Sequence, residues 1–323
     1  MAIRDEQVDI QVDDQQISGT LVTPATVLPG VLFLHGWGGS QQQYLARARE
    51  IAALGCVCLT VDLRGHAGTE AQKETVTRAD NLGDVLAAYD TLVRYPAVDR
   101  NAIAVVGSSY GGYLAAILSS LRPVRWLALR VPALYRDEDW PLPKQQLKKY
   151  GLADYRRGRV TPDQNRALAA CAAFQGDVLI VESEHDDIIP HPVIENYLTA
   201  LKGAHSLTYR LIEEADHALS EEAWQQSYTS LLLNWATEMV LGAREEGAAP
   251  EVHTQIHPAP RKGAPDGCMM ARPRSPQVRI YHSHTGSKAA RPASDPMIWR
   301  YRREVRSRLD SPFARRCREW CEP

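Results

Sequence analysis

The sequence predicts an α/β fold, a mostly parallel twisted sheet with helices on both faces. Two observations carry this. Short continuous apolar runs alternate with segments of helical periodicity between residues 31 and 241, which is the rhythm of parallel strands joined by crossover helices. A glycine-flanked serine, Gly107-Ser108-Ser109-Tyr110-Gly111, stands between one such run and one such helical segment.

The elements follow in order. Residues 8–12 alternate (Val8, Ile10, Val12) and residues 17–22 form a second extended run, with Asp13-Asp14 as a turn between them; together they predict an opening antiparallel pair. Residues 31–34 are continuously apolar, the mark of a strand buried on both faces. Tyr44, Ala48, Ile51 and Leu54 then recur at helical spacing, and residues 56–61 give the next buried strand. Leu82, Val85, Leu86, Tyr89, Leu92 and Val93 share one helical face. Strands are expected at 103–106, 126–131, 178–181 and 207–212, and helices at 113–121, 193–201 and 224–241.

One interval breaks the rhythm. More than 40 residues separate the strands near Leu129 and Val178, and they include Pro132, Pro141 and Pro143. That is too long for an ordinary connection. Residues 132–176 are expected to hold short helices and to cover part of a site as a small helical lid, with Trp140, Tyr150 and Tyr155 as candidate wall residues.

The net charge of −2 conceals two halves of opposite sign: residues 1–242 carry 21 Lys+Arg against 30 Asp+Glu, and residues 243–323 carry 16 against 9. The acidic first part gives no sign of nucleic-acid or anionic-membrane binding. The last 81 residues hold half of the 20 prolines and no apolar periodicity. Such a composition cannot offset its ordering entropy, so residues 243–323 are expected to form an Arg/Pro-rich disordered tail, with one short basic helix at 300–308. The catalytic domain is placed at 1–242.

Six cysteines are present. Cys56 and Cys58 share one face of a strand, a spacing unsuited to a disulfide. No paired zinc framework is seen, and His185 and His191 lack a third ligand. Reduced, buried thiols are expected. The N-terminus carries no apolar leader, and no stretch reaches the roughly 18 apolar residues of a membrane span; a cytoplasmic location is the expectation, with no cofactor and no metal.

The chemistry is concentrated at few positions. Gly107-Ser108-Ser109-Tyr110-Gly111 puts Ser109 at a tight strand-to-helix turn, where a side chain at either glycine would crowd the backbone. The helix start that follows supplies free N–H groups. His35-Gly36-Trp37-Gly38-Gly39 follows the 31–34 strand and can aim backbone N–H groups at the same place. Acyl transfer needs two donors for its oxyanion, and the Trp37 and Tyr110 amides are assigned to that task. His35 is expected to hold its loop by a hydrogen bond, and Asp62-Leu63-Arg64-Gly65-His66 to pack below the site.

A serine hydroxyl needs a base. The turn therefore calls for an acid and then a histidine after later strands, and Asp186 and His217 supply them. Asp187 is the alternative acid. Glu184 and Asp216 are read as loop or cap groups.

Together H-G-W-G-G, D-L-R-G-H, G-S-S-Y-G-G, D-D-I-I-P and D-H resemble the α/β-hydrolase superfamily from about Val8 to Leu241. Ser108 to Leu114 also look like the catalytic domain of prolyl-oligopeptidase-type peptidases, although 323 residues leave no room for their N-terminal propeller. The size is nearer to dienelactone-hydrolase-like enzymes and small esterases, but Ser109 stands where a dienelactone hydrolase has cysteine. The resemblance implies a serine hydrolase of small acyl esters with Ser109 as nucleophile, Asp186 as acid and His217 as base. A peptidase or amidase on short peptides, and a non-turnover binding protein on the same fold, are the alternatives. Acyl and alcohol preference and oligomeric state are not legible.

Overall fold

The computed structural model describes residues 3–24, 28–147, 149–248 and 279–280. Strands β1 (Ile3–Val12) and β2 (Gln15–Pro24) pair antiparallel, with Val12 opposite Gln15. Asp13 takes φ 51° in the turn between them, a conformation that Asp tolerates better than most residues. β1 begins earlier than the alternation at Val8 predicts. Arg4, Asp5 and Glu6 lie on an edge strand, where one face and one backbone edge meet water, so apolar residues are not demanded there.

Strands β3 (Leu28–Leu34), β4 (Val57–Val61), β5 (Val98–Ser108), β6 (Trp126–Arg130), β7 (Asp177–Ser183) and β8 (Ser206–Ile212) complete the body of the sheet. Its order is β1-β2-β4-β3-β5-β6-β7-β8, antiparallel at β1-β2 and β2-β4 and parallel beyond. Helices α1 (Gln42–Ala53), α2 (Arg78–Arg94), α3 (Tyr110–Leu121), α4 (Lys149–Arg157), α5 (Arg166–Ala173), α6 (His191–Ala200) and α7 (Glu222–Ala248) surround it.

The continuous apolar runs are explained by burial on two sides. Leu32 and Leu34, Leu59 and Val61, and Ile103 and Val105 join a core shared with α2, α3, α5 and α6. Their neighbours Val31 and Phe33, Cys58, and Ala104 and Val106 join a second core shared with α1 and α7. Alternate residues on a strand point to opposite faces, so a strand between two helical layers must be apolar throughout. Cys56, Cys58 and Cys171 are buried and are not joined in disulfides. Among the described residues no helix is long and apolar enough to cross a membrane.

Two expected boundaries move. α5 lies within the expected excursion 132–176, yet it buries Ala167, Leu168, Ala170 and Cys171 and packs on α3 and α6. It is the crossover helix between β6 and β7. The departure from the body is residues 132–165, and α4 is its main helix. At the C-terminal end, α7 continues past the expected end at 241 to Ala248. Gly242 interrupts a run of good helix formers without the proline or αL turn that would stop it.

The expected tail adds one element. Arg279–Ile280 forms β9, parallel to β8, with Thr208 opposite Arg279 and Tyr209 opposite Ile280. The edge of β8 otherwise presents unpaired N–H and C=O groups, which is what recruits an extended segment. The remaining expectations for the tail, including the basic helix at 300–308, fall outside the described residues.

Candidate active site

β5 ends at Ser108 and α3 begins at Tyr110, so Ser109 alone makes the turn. It does so at φ 50° and ψ −114°, a region that costs a non-glycine residue of order 1–3 kcal/mol. Three backbone bonds hold it there. The Ser109 N–H donates to Arg130 O at 2.9 Å, and Ser109 O accepts from Tyr113 N at 3.1 Å and Ala133 N at 3.0 Å. The flanking glycines are fixed by space. A Cβ on Gly107 would stand 2.5 Å from Gly111 O, and one on Gly111 would stand 2.3 Å from Leu34 O and 2.5 Å from His35 O. The turn is thus pressed against the loop that follows β3.

His217 follows β8 and Asp186 follows β7, both beyond the C-terminal ends of parallel strands, where open α/β sheets form their sites. His217 Nε2 lies 3.1 Å from Ser109 Oγ, and His217 Nδ1 lies 2.6 Å from Asp186 Oδ2. The carboxylate partner assigns the Nδ1–H tautomer, which leaves Nε2 free to accept the Ser109 proton. Asp186 Oδ1 accepts from Ile188 N at 2.9 Å and Ile189 N at 2.7 Å. Both oxygens are therefore committed, and the side chain is 3% exposed. Asp187, one residue on, is exposed. It is Asp186 whose carboxylate reaches His217. Glu184 and Asp216 serve their loops, accepting from Glu214 N and Ser220 N. His191 meets Glu182 at 2.8 Å.

The loop after β3 lies beside the serine. A Cβ on Gly36 would stand 3.3 Å from Ser109 Cβ and 4.0 Å from Ser109 Oγ, so the loop passes close beside the serine at Gly36. Tyr110 is the first residue of α3, and its N–H has no i−4 partner within the helix. His35 fastens the loop: its Nδ1–H donates to Gly36 O at 2.8 Å, and Leu63 N–H donates to its Nε2 at 3.1 Å. Burial pulls the His35 pKa below the usual imidazole range. His66 packs edge-on against the rings of His35 and Trp37. Burial, reinforced by His35, lowers its pKa to about 3.

These two neutral histidines set an acid limit on the fold. The unfolded chain protonates them near pH 6.5, while folded His66 refuses the proton down to about 3. Their stabilisation is therefore complete above pH 6.5 and is lost as pH falls below it. His66 alone should cost on the order of 1 kcal/mol one unit below that point. Thermal unfolding should show Tm falling between pH 7 and pH 5, and falling less in His66→Gln; parallel curves for the two proteins would refute the assignment.

Sequence reasoning missed the support beneath Tyr110. The Tyr110 hydroxyl donates to Asn81 Oδ1 at 2.9 Å, and Asn81 Nδ2 donates to Arg64 O and to Asp84 Oδ2, each at 3.0 Å. Asp84 in turn pairs with Arg64 Nε at 2.5 Å. Burial raises the Asp84 pKa against the pull of Arg64. D-L-R-G-H thus does pack below the site, and it grips α2 as it does so. The excursion also reaches the site: Lys144 Nζ stands 4.6 Å from the Trp37 ring centre and 5.3 Å from that of Tyr135. Of the expected wall residues, Trp140 is stacked by Arg166 at 3.8 Å. The Tyr155 hydroxyl accepts from Asn165 Nδ2. The Tyr150 side chain lies outside the described set.

The model of the alpha/beta hydrolase family matches residues 31–228, more than half of the chain. The chain belongs to the alpha/beta hydrolase family. Solved structures resemble this hydrolase at low identity. A putative dienelactone hydrolase from Klebsiella pneumoniae is 17% identical with a TM-score of 0.55, over 73% of this chain and 99% of that one. Est1E from Butyrivibrio proteoclasticus, with ferulic acid bound, is 17% identical at 0.57, over 74% and 99%. The acylaminoacyl peptidase of Pyrococcus horikoshii is 16% identical at 0.56, over 73% of this chain and 41% of that one. At such identities the likeness is one of fold. No curated protein matches this hydrolase in sequence.

Proposed function

We propose that this hydrolase is a serine esterase of small acyl esters. One observation carries the reading: a continuous relay from Ser109 Oγ through His217 to Asp186, with links of 3.1 and 2.6 Å. His217 Nε2 takes the Ser109 proton as Oγ attacks the ester carbonyl carbon. The Trp37 and Tyr110 N–H groups hold the oxyanion that forms, where preorganised donors are worth most. Asp186 keeps His217 in the productive tautomer and stabilises its imidazolium. The imidazolium then protonates the departing alcohol, leaving an acyl ester on Ser109. Water, deprotonated by His217, attacks that ester; the acid is released as the imidazolium returns its proton to Ser109 Oγ.

Residues 132–165 cover the site as a small lid in this reading, supported by the approach of Lys144 to Trp37. Two measurements test the proposal. A fluorophosphonate should label Ser109 and abolish turnover. A p-nitrophenyl ester should be cleaved far faster than the matched anilide, because an amine leaves less easily. Preference for the anilide would move the activity to amides, and an unlabelled Ser109 would leave a binding protein.

A further inference from the structure

Arg130 is the last residue of β6 and is 8% exposed. An arginine closing the run Trp126-Leu127-Ala128-Leu129 on an interior strand is costly unless its donors are used. They are used on the relay. Arg130 Nη1 and Nη2 donate to His217 O at 3.0 and 2.9 Å, and Nε donates to Ser108 Oγ at 3.3 Å. The backbone of the same residue faces the nucleophile, since Arg130 O accepts the Ser109 N–H at 2.9 Å. The ring of Tyr228, 5.6 Å from the guanidinium carbon, lies against the side chain.

We infer that Arg130 is a positioning residue that sets the register between base and nucleophile. Its carbonyl fixes Ser109, and its planar fork fixes the backbone of His217. The 3.1 Å gap from Nε2 to Oγ is thereby referred to a single residue. Arg130 bonds to the backbones of His217 and Ser109, and it acts through them rather than on the reacting atoms. The inference rests on the esterase reading, and a lysine cannot reproduce it, because one ammonium cannot serve the carbonyl through two fixed donors.

The test compares wild type with Arg130→Met, which keeps an apolar stem beside Tyr228 and leaves the backbone bond to Ser109 in place. Three readouts are taken on protein shown by circular dichroism to be folded. With p-nitrophenyl acetate, kcat should fall about 10–100-fold while KM stays within about twofold, the signature of a misplaced base. Fluorophosphonate labelling of Ser109 should slow by a similar factor. In proton NMR, the downfield signal of the His217 Nδ1–H held by Asp186 should broaden or vanish. Arg130→Lys should lie between the two proteins, and it replaces Arg130→Met should the latter not fold. Wild-type kcat and labelling rate in either folded variant, with the downfield proton retained, would overturn the inference. Were the wild type itself to show neither turnover nor labelling, the esterase reading would fall. The downfield proton of wild type against variant would then decide the role of Arg130 alone.

Discussion

Ser109→Ala should lower kcat for a p-nitrophenyl ester by about 10⁴–10⁶-fold, leaving the fold intact. The change removes the only atom that bonds covalently to substrate in the proposed mechanism. It also relieves no clash and breaks no backbone bond, because the three bonds that hold the turn use the Ser109 N–H and C=O. His217→Ala should cost about as much, and the double variant little more than either, since members of such a relay act as a unit. Circular dichroism should show unchanged melting for Ser109→Ala. Residual activity within about tenfold of wild type would place the nucleophile elsewhere.

Asp186→Asn carries the second large effect. The amide can still accept from Ile188 N and Ile189 N through its oxygen, so the turn survives. Its NH₂ then faces His217 Nδ1 as a donor and forces the proton onto Nε2, where it blocks acceptance from Ser109. A loss of about 10⁴-fold in kcat is expected, with little change in KM. Asp187→Asn, on an exposed side chain, should leave kcat within about twofold. A mild Asp186→Asn beside a severe Asp187→Asn would transfer the role by one residue.

Much of this architecture is legible in the sequence for a definite reason. Strands buried between two helical layers must be apolar on both faces, and β3, β4 and β5 announce themselves as unbroken runs. The strand-to-helix turn at Ser109 is legible because space constrains its neighbours: the glycines at 107 and 111 have nowhere to put a Cβ. Other features leave weaker traces. The choice between Asp186 and Asp187 depends on which way a side chain leaves a turn, and adjacent identical residues do not encode that. α5 is only eight residues long and alanine-rich, so its periodicity is too short to separate it from the excursion before it. The early start of β1 and the pairing of β9 occur at sheet edges, where burial imposes little pattern. Arg130 left one unread signal, a charge at the end of an apolar strand. Its bond to His217 spans 87 positions, and no local window contains it.

The contact between Gly111 and the carbonyls of Leu34 and His35 also bears on how this enzyme should fail when heated. The turn that carries Ser109 and the loop after β3 sit too close to admit a side chain between them, so neither can move toward the other without driving main chain into main chain. Two backbones packed this closely are expected to loosen together with the strands that carry them rather than ahead of them. Inactivation on heating should therefore be abrupt, tracking the cooperative transition of the whole sheet rather than preceding it. Residual activity and ellipticity, followed through one melt, should fall on a single curve.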